Sequence, residues 1–467
     1  MISMRFGDIA KATGGKVVCG KAEGVASGVS TDSRTIAAGM VFFALRGPNF
    51  DGRAFVRDVA LKGAAGAVTD GGFADVSGLP DGFVVIAVKD TRDALGDLAA
   101  YRRRLFSGPV IAVSGSSGKT TTKEMIALLL GRTRPVLKTE GNKNNLIGLP
   151  LTLMRLDNTY KAAVVELGIS EQGEMPRLAQ ICSPDAAVIT NIGRGHLEAF
   201  GSLEAVARAK TALFDSLGPE GFRIVNLDDP WLQRWAHSIG QSSHVVTFGR
   251  AKDADVRLRR CSTAEDMSSI EAVFDVRGEA IEVRLAAAGV FNAMNGAAAI
   301  AAALPFGVSK DDIAGGLASF VPVPGRMEIL SAGGVVILND TYNANPESMA
   351  VALNTLSSFT GRKVAVLGDM LELGGASSAA HEEAGRLAAK AGVDILVAVG
   401  RWSKALSDGA LEAGLRPGAV FSFADKLEAQ GNVPGLLRQG DTVLVKGSRA
   451  VGLEFIVDGI KAVSENR

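Results

Sequence analysis

The sequence has few of the features that mark specialised protein classes. Its three cysteines, Cys19, Cys182 and Cys261, are too few and too widely spaced for a disulfide framework or a CxxC metal site. Basic and acidic residues are balanced at 50 each, so the sequence lacks the basic excess typical of nucleic-acid-binding proteins. It has no run of roughly 18 uncharged apolar residues and no apolar signal core near its first residue. We therefore expect a cytoplasmic protein whose partners are small molecules, with no nucleic acid and no membrane span.

The length of 467 residues exceeds what one hydrophobic core usually organises. At about 150 residues per domain it predicts roughly three domains. No repeat of 20 to 50 residues and no heptad pattern is evident, which argues against a solenoid or a coiled coil.

The most informative stretch is PVIAVSGSSGKTTTKEMIALLL at 109–130. An apolar run rich in Val and Ile predicts a strand, and the later spacing of apolar residues predicts a helix. Between them lie the residues of a predicted phosphate loop, Gly115, Ser116, Ser117, Gly118, Lys119, Thr120 and Thr121. The order strand, loop, helix favours a site for a nucleoside triphosphate over a simple surface turn.

The chemistry of this loop follows from its residue types. Glycines allow successive N–H groups to point inward, and the helix N-terminus adds partial positive charge. Lys119 can reach the outer phosphates, and Thr120 can offer a hydroxyl to Mg²⁺. The usual loop has a glycine where this sequence has Val113, so the motif is a shortened GxxGKT form.

The rest of the chain predicts an α/β protein of three domains. Residues 1–88 predict a small mixed α/β domain, in which the polar segments 30–34 and 46–52 read as turns. Residues 89–324 begin with a helix from Thr91 to Arg104, with Thr91 as a possible cap, and continue as a P-loop ATPase-type parallel sheet. A Pro- and Gly-containing linker at 321–325 leads to a Rossmann-like α/β domain over 325–467.

Polar residues follow several predicted strands, where ligands of parallel sheets bind. In the central domain these are Glu166, then Thr190 and Asn191 leading to His196. In the last domain they are the segments DTYNANP at 340–346, GDMLELG at 368–374 and KGSR at 446–449. Beside a nucleotide loop, such groups become candidate metal and phosphate ligands.

Lys210 lies on the apolar stripe of a helix predicted over 203–217. Burial would lower the pKa of its amine and favour the neutral, nucleophilic form unless a carboxylate or phosphate pairs with it. The alternative is a lysine whose stem lies on the apolar surface and whose ammonium reaches water. Asn292 and Asn295 share one face at the start of an Ala-rich helix, where capping is the plain explanation.

These motifs resemble the Mur ligase family, the ATP-dependent amide-forming enzymes of peptidoglycan precursor synthesis, over nearly the whole chain. GSSGKTT, VVELG around Glu166, TNIGRGHLEAFGS around His196 and ARAK ending at Lys210 are similar to the family's nucleotide and metal elements, in its order. DTYNANPESM, LGDMLELG and VLVKGSRAVGLE resemble the family members that add D-alanyl-D-alanine. The DNPR-type motif of third-residue-adding members is absent from the sequence.

The resemblance implies a role for each of these positions. Lys119 would hold the transferred phosphate, Thr120 and Glu166 one Mg²⁺, and His196 and a carbamylated Lys210 a second. ATP would be bound by the loop with Asn292 and Asn295 near the adenine and Arg326 and Asp340 near the ribose and phosphates. UDP-N-acetylmuramoyl-tripeptide would contact Ser33, Arg34, Asn49, Asn144 and Asn145, and D-alanyl-D-alanine would contact the last domain through Tyr342, Asn345, Lys446 and Arg449.

The resemblance also implies catalysis by Lys119, His196 and Lys210, a hinge at 322–325, and a monomer. One departure is Phe291, where the family usually has histidine. Other readings are another ligase of the same superfamily, such as the third-residue-adding enzyme or a folylpolyglutamate synthetase, and a non-catalytic nucleotide-binding module. A P-loop kinase would not need Lys210 on an apolar stripe, and a guanine-specific protein would usually carry an NKxD-type motif, which the sequence lacks.

Overall fold

The computed structural model describes residues 3–47, 50–71, 76–239, 244–264 and 269–465. Within these ranges the fold is α/β, and each predicted domain has its own sheet. None of the described helices combines the length and the apolar character that a membrane crossing requires.

The first domain has a small mixed sheet with strand order β2-β9-β8-β5-β4, in which β2 is antiparallel to β9 and the other pairs are parallel. Helix α1 buries Phe6 and Ile9 against it and ends at Gly14, whose φ of 63° suits a residue without a Cβ. The elements are β1 (Met4–Arg5), α1 (Phe6–Thr13), β2 (Lys16–Cys19), β3 (Val25–Ala26), β4 (Val29–Ser30), β5 (Val41–Phe43), β6 (Arg46–Gly47), β7 (Phe50–Asp51), a 3₁₀ helix (Gly52–Phe55), α2 (Val56–Leu61), β8 (Gly66–Asp70) and β9 (Val84–Val88).

The central domain contains the largest described sheet, of order β11-β12-β10-β13-β14-β15-β16-β17-β18. Its elements are α3 (Thr91–Arg104), β10 (Val110–Ser114), α4 (Lys119–Gly131), β11 (Val136–Lys138), α5 (Gly148–Leu153), β12 (Ala162–Glu166), α6 (Glu174–Cys182), β13 (Ala186–Ile189), α7 (Leu197–Phe200), α8 (Leu203–Asp215), β14 (Phe222–Asn226), α9 (Pro230–Ile239), β15 (Val245–Gly249), β16 (Val256–Thr263), β17 (Ile270–Val276), β18 (Glu279–Leu285), α10 (Phe291–Ala303), a 3₁₀ helix (Leu304–Phe306) and α11 (Lys310–Ala318).

The prediction of a parallel central sheet is correct from β11 to β16 and wrong for its last strands. Strands β16, β17 and β18 pair antiparallel. A two-residue turn, Arg277-Gly278, with φ values of 52° and 92°, joins β17 to β18. Such a turn reverses the chain and leaves no room for the crossover that a parallel pair needs.

Strands β10, β12 and β13 are buried along their whole length because helices cover both faces of the sheet. Apolar clusters lie on each side, one around Ile111 and Ala297 and the other around Ala112 and Leu178. This double cover explains the continuous apolar runs in the sequence, and it leaves the carboxyl ends of the strands as the place for ligands.

Helix α3 has the predicted bounds, but its cap differs from the prediction. Asp90 is the N-cap, and its carboxylate accepts a hydrogen bond from the Asp93 N–H. Thr91 is already inside the helix, and its hydroxyl donates to the Ala44 carbonyl instead. The helix packs against α1 of the first domain and against α5 and α6 of the central domain, so it belongs to both cores.

The predicted second α/β sheet is present after residues 321–325, which form neither helix nor strand. Its order is β19-β20-β24-β21-β22-β23, with only the β19–β20 pair antiparallel among the described strands. The elements are β19 (Glu328–Ala332), β20 (Val335–Asp340), α12 (Pro346–Ser357), β21 (Lys363–Gly368), a 3₁₀ helix (Gly374–Ala376), α13 (Ser377–Lys390), β22 (Ile395–Val399), α14 (Ser403–Glu412), a 3₁₀ helix (Pro417–Ala419), β23 (Val420–Phe423), α15 (Lys426–Leu436), β24 (Thr442–Lys446), a 3₁₀ helix (Arg449–Val451) and α16 (Glu454–Glu465).

Candidate active site

The predicted phosphate loop connects the end of β10 to the start of α4. Gly115 and Gly118 have φ values of 141° and 78°. A Cβ on Gly115 would lie 1.9 Å from the Thr190 hydroxyl oxygen, and one on Gly118 would lie 2.5 Å from the Asn295 side-chain oxygen. Both positions therefore require glycine for conformation and for space.

Asn191, at the end of the neighbouring strand β13, supports this loop. Its carbonyl accepts the Ser116 N–H at 3.0 Å, and its side-chain oxygen accepts the Ser117 N–H at 3.0 Å. The sequence marks Asn191 only as a polar residue at a strand end. The structure shows that it fixes the backbone of the loop.

Lys119 and Lys210 come together beneath the loop. The Lys119 Nζ donates to the Gly115 carbonyl at 2.8 Å, and the Lys210 Nζ lies 3.2 Å from the same oxygen. Burial lowers the pKa of the Lys119 amine. Burial, together with the neighbouring Lys119 charge, lowers the pKa of Lys210 to about 7.

Lys210 reaches this position because its side chain is on the buried face of α8, where it is 3% exposed. The helix begins at Ser202, whose hydroxyl accepts the Ala205 N–H. The amine of Lys210 is therefore buried and does not extend to water. Of the two alternatives for a lysine on this apolar stripe, the structure favours the buried amine.

Glu166 brings a buried carboxylate to the loop from the end of β12. One oxygen accepts the Thr120 hydroxyl at 2.7 Å, and the other accepts the Asn144 side-chain amide at 2.8 Å. The backbone N–H of Glu166 is held by the Thr139 hydroxyl at 3.0 Å. A fixed carboxylate beside a threonine hydroxyl is the oxygen donor set that Mg²⁺ prefers, so these residues fit the metal that the loop implies.

His196 approaches the cavity from the segment after β13 and pairs with the C-terminal domain. Its Nδ1 lies 2.5 Å from a carboxylate oxygen of Glu372, and the histidine holds the pKa of that carboxyl below its usual range. Both residues have left-handed backbone, with φ values of 58° and 63°. Within the described residues, no three His, Cys, Asp or Glu side chains cluster as a metal site.

In the C-terminal domain, Asp340 and Lys446 lie opposite each other at the carboxyl ends of β20 and β24. The Lys446 Nζ donates to Asp340 at 2.5 Å and to the Asn343 carbonyl at 2.9 Å, and its side chain is 2% exposed. Lys446 is therefore committed to a partner within its own domain.

Tyr342 lies between two arginines. The guanidinium carbon of Arg326 is 3.8 Å from the ring centroid, and that of Arg449 is 5.7 Å away. The Nε of Arg326 is buried and has no hydrogen-bond partner within the described structure. A buried donor of this kind is satisfied when an anionic or polar ligand enters.

These groups line one cavity of about 470 Å³ between the central and C-terminal domains. It brings together most of the predicted site, namely Ser116, Ser117, Gly118, Lys119, Thr121, Asn144, Asn145, Glu166, His196, Lys210, Asn295, Arg326, Asp340, Tyr342, Asn345, Lys446 and Arg449. The volume suits a nucleotide-sized ligand.

Several predicted residues do not line this cavity. Gly115 and Thr120 lie directly behind it through their contacts with the lysines and Glu166. Asn292 supports Asn295, whose amide donates to its side-chain oxygen at 3.1 Å, and it does not cap α10, whose N-cap is Val290. Ser33 and Arg34 lie in the first domain, where Arg34 pairs with Asp32, and Asn49 is outside the described residues.

Apart from Phe291, which stands where the family usually has histidine, the residues of an apolar part of the wall were not predicted from the sequence. Phe248 lies at the end of β15, and Phe291, Met294 and Ala298 face the same cavity from α10. A strand end in a parallel sheet is the signal that could have identified Phe248. Asn145 lines the cavity, and its side-chain oxygen also accepts the N–H of Gly148, the first residue of α5, at 2.9 Å.

Fold and site together define a nucleotide-binding enzyme of the P-loop class, whose site is completed by a second α/β domain. Three family models match the chain: "Mur ligase family, catalytic domain" at residues 25–103, "Mur ligase middle domain" at 113–303 and "Mur ligase, glutamate ligase domain" at 325–449. The chain belongs to the Mur ligase family, which confirms the resemblance seen in the sequence.

Full-length relatives agree with this assignment. The chain is 38% identical over 443 residues to the UDP-N-acetylmuramoyl-tripeptide–D-alanyl-D-alanine ligase of Escherichia coli K12, covering 94% of each chain. It is 36% identical to the ligase of the same name from Bacillus subtilis 168, covering 93% of each.

Solved structures confirm the three-domain α/β fold. MurF from Acinetobacter baumannii is 33% identical and superposes with a TM-score of 0.90 over 99% of both chains. MurF ligase from Thermotoga maritima in complex with ADP is 30% identical, with a TM-score of 0.81 over 94% of this chain and 98% of that one.

Proposed function

We propose that this protein joins D-alanyl-D-alanine to the terminal carboxylate of UDP-N-acetylmuramoyl-tripeptide, converting ATP to ADP and phosphate. The observation that carries the proposal is the single cavity in which the phosphate loop faces the C-terminal domain. Its relatives of that name, similar over more than nine-tenths of the chain, support the choice of acceptor.

The reaction needs an activated carboxyl group because a carboxylate is a poor acyl donor. ATP would phosphorylate the tripeptide carboxylate, and the amine of the dipeptide would attack the resulting acyl phosphate and release phosphate. Lys119 and the N–H groups of the loop stabilise the charge on the transferring phosphoryl group. The cavity walls from two domains keep water from the acyl phosphate.

The Thr120 hydroxyl and the Glu166 carboxylate fit one Mg²⁺ ion, and the proposal includes a second ion. Thr120 and Glu166 would hold one, and His196 with a carbamylated Lys210 would hold the other. When bound, the ions neutralise phosphate charge and orient the transferring group. Asn144 holds one Glu166 oxygen so that the other oxygen faces Thr120.

Carbamylation of Lys210 is supported by its surroundings. With a pKa of about 7, Lys210 carries a neutral amine in a large share of the molecules at neutral pH. The neutral amine is the form that reacts with carbon dioxide. The product is an anion with oxygen donors, which would replace a cation near Lys119 by a group that attracts it.

The nucleotide would lie along the central-domain wall. Its base would contact Asn295, which Asn292 supports, and stack against the apolar side formed by Phe291 and Phe248. Arg326 and Asp340 would approach the ribose and phosphates from the linker and the last domain. The unpartnered Nε of Arg326 is available for such a contact.

The dipeptide would bind to the C-terminal domain. Arg449 is the better partner for its carboxylate, because its side chain is 65% exposed and its ion pair with Glu454 is long, at 3.8 Å. Tyr342 and Asn345 would lie beside it. Lys446 is expected to affect dipeptide binding indirectly, through its hydrogen bonds to the Asp340 carboxylate and the Asn343 carbonyl.

The tripeptide would extend from the first domain to the loop. Ser33, Arg34 and Asn49 would contact its nucleotide end, and Asn144 and Asn145 the peptide end near Glu166. In this proposal the chain has three domains, at 1–88, 89–324 and 325–467, and all three contribute contacts to the substrates. The protein would act as a monomer. Because ATP and nucleotide sugars are cytoplasmic metabolites, we place the reaction in the cytoplasm, in cell-wall precursor synthesis.

The test is phosphate release by the purified protein with ATP, Mg²⁺ and UDP-N-acetylmuramoyl-tripeptide, with and without D-alanyl-D-alanine. The expected result is dipeptide-dependent release and a product heavier by one dipeptide less water. Phosphate release at the same rate with and without the dipeptide would contradict D-alanyl-D-alanine as the acceptor. Single amino acids and folate substrates would then identify a sister ligase, and nucleotide binding without turnover on any acceptor would identify a binding module.

A further inference from the structure

The segment 191–196 is attached to the phosphate loop on one side. Besides the two bonds from Asn191 described above, Gly193 and Ser116 form a reciprocal contact. The Gly193 N–H donates to the Ser116 hydroxyl at 2.7 Å, and that hydroxyl donates to the Gly193 carbonyl at 3.1 Å. A shift of the loop must therefore move this segment.

The same segment is attached to the C-terminal domain on its other side. The Arg194 N–H donates to one carboxylate oxygen of Glu347 at 3.0 Å, and the Arg194 Nε donates to the other at 2.7 Å. Glu347 is in the first turn of α12, where the helix dipole favours a negative charge. Both oxygens of the carboxylate are thus occupied by one residue of the central domain.

Gly193, beside Arg194, allows this close approach. A Cβ at Gly193 would lie 3.2 Å from the carboxyl carbon of Glu347, and one at Gly195 would lie 3.7 Å from the side-chain nitrogen of Asn345. Asn345 caps α12 and lines the cavity. The start of α12, with one of the proposed dipeptide contacts, is therefore held against the segment that supports the phosphate loop.

His196 and Glu372 give a second contact between the same segment and the same domain. The Glu198 N–H also approaches the Glu372 carbonyl, at 3.4 Å. Because His196 and Glu372 are non-glycine residues in left-handed conformations, their geometry is held by the surrounding structure at some cost. The two domains therefore meet at two points along this segment.

We propose that Arg194 and Glu347 form an interdomain clamp that couples nucleotide binding at the loop to closure of the C-terminal domain. Both are positioning residues, because neither lines the cavity among the described residues. In the ligation reaction, which this inference takes from the proposed function, the clamp places the dipeptide-binding wall opposite the ATP site.

The expected size of the effect follows from exposure. The side chains of Arg194 and Glu347 are 51% and 35% exposed, so solvent screens the pair. Exposed ion pairs contribute little, but two aligned charge-assisted hydrogen bonds are stronger than one contact. Loss of the clamp should therefore shift the closing equilibrium by about threefold to tenfold.

The experiment measures domain closure by small-angle X-ray scattering while a non-hydrolysable ATP analogue is titrated into the full chain. The variants are Arg194→Ala, Glu347→Gln, Glu347→Ala and the double variant Arg194→Ala with Glu347→Ala. The matched control is Glu412→Gln, which alters an ion pair with Arg386 inside the C-terminal domain. Thermal unfolding of each variant verifies that it is folded.

In the wild type the radius of gyration should fall as nucleotide binds. Glu347→Ala should raise the nucleotide concentration at the closing midpoint about threefold to tenfold, and Glu347→Gln, which keeps one acceptor oxygen, should raise it less. Arg194→Ala should have little further effect once Glu347 is alanine, and Glu412→Gln should close like the wild type.

The clamp proposal would be wrong if Glu347→Ala closed at the same nucleotide concentration as the wild type. It would also be wrong if the effects of the two substitutions on the closing midpoint were additive. The measurement requires only the nucleotide analogue, so it is independent of the acceptor. A protein that closes through the clamp but lacks dipeptide-dependent phosphate release would refute the proposed function and support the clamp. The reverse pattern would refute the clamp alone.

Discussion

Lys119 and Lys210 share one acceptor, the backbone oxygen of Gly115, at 2.8 and 3.2 Å. Two ammonium groups in one buried site repel each other, and burial disfavours the charge on each. The pKa of Lys210 falls to about 7 as a result. In the proposed function, Lys119 would hold the phosphate and Lys210 would be the lysine that is carbamylated.

Replacing Lys210 by alanine should lower the rate of dipeptide-dependent phosphate release by about 100-fold or more, because a ligand of the second metal is lost. Short carboxylic acids such as formate or acetate should restore part of the rate by supplying the missing carboxylate. Lys210→Arg is the matched variant, since it keeps a cation but cannot be carbamylated. Full activity of Lys210→Arg would contradict the carbamylated ligand.

Gly115→Ala should weaken ADP binding by about 100-fold or more, because its Cβ would lie 1.9 Å from the Thr190 hydroxyl oxygen and the loop would have to move. Gly131→Ala, at the other end of α4, is the control, since its added Cβ would point into open space. Isothermal titration calorimetry with ADP distinguishes the two. Equal affinities would show that the loop adapts to a side chain at 115.

Replacing Arg449 and replacing Lys446 by uncharged residues should have different effects. Arg449→Ala should raise the KM for D-alanyl-D-alanine about 10-fold to 100-fold and leave the free energy of unfolding nearly unchanged, because the side chain is exposed. Lys446→Met should reduce that free energy by about 3 kcal/mol, since it leaves Asp340 without its buried partner. Steady-state kinetics and urea unfolding of both variants test this division, which fails if Lys446→Met changes only the KM.

His381 should make stability depend on pH. It is buried, its Nε2 accepts the Met370 N–H at 2.8 Å, and its Nδ1 donates to the Ser377 carbonyl at 2.6 Å, an arrangement that needs the neutral ring. Burial lowers its pKa below the usual 6.5. The folded protein therefore binds fewer protons than the unfolded chain below pH 6.5, and stability is lost as the pH falls, by up to about 1.4 kcal/mol per pH unit.

Urea unfolding between pH 5 and 8 measures this slope. His381→Gln should flatten it, whereas His237→Gln, a change at an exposed position, should leave it as in the wild type. An unchanged slope in His381→Gln would assign the pH dependence to other groups.

Local patterns were enough to predict many elements. Helix α3 has the bounds that its sequence predicts, and the apolar runs at 186–189, 395–399 and 420–423 coincide with β13, β22 and β23. Lys210 was identified because a charge interrupts an apolar stripe. Its burial needed the fold, since a stripe does not show whether a long side chain reaches water.

Contacts between distant segments could not be predicted in this way. Arg194 and Glu347 are 153 residues apart, and no local rule brings a segment after one strand to the start of a helix in another domain. The antiparallel strands after β16 depend on the tight turn Arg277-Gly278, which the strand–helix alternation of the preceding sheet does not indicate. The Lys446 ion pair likewise depends on strand order, which places β20 beside β24.

The position of α3 has a consequence for how the molecule unfolds. Its leucines share an apolar cluster with Phe6 of the first domain and with Ile147 and Leu151 of the central domain, so loss of this cluster would expose apolar residues of both domains. The C-terminal domain is joined by the irregular segment 321–325, by polar contacts at Glu347 and Glu372, and by Ala288 and Phe291, which pack against its apolar cluster. In a calorimeter the first two domains should melt as one cooperative unit and the third as another, and a nucleotide bound between them should merge the two peaks.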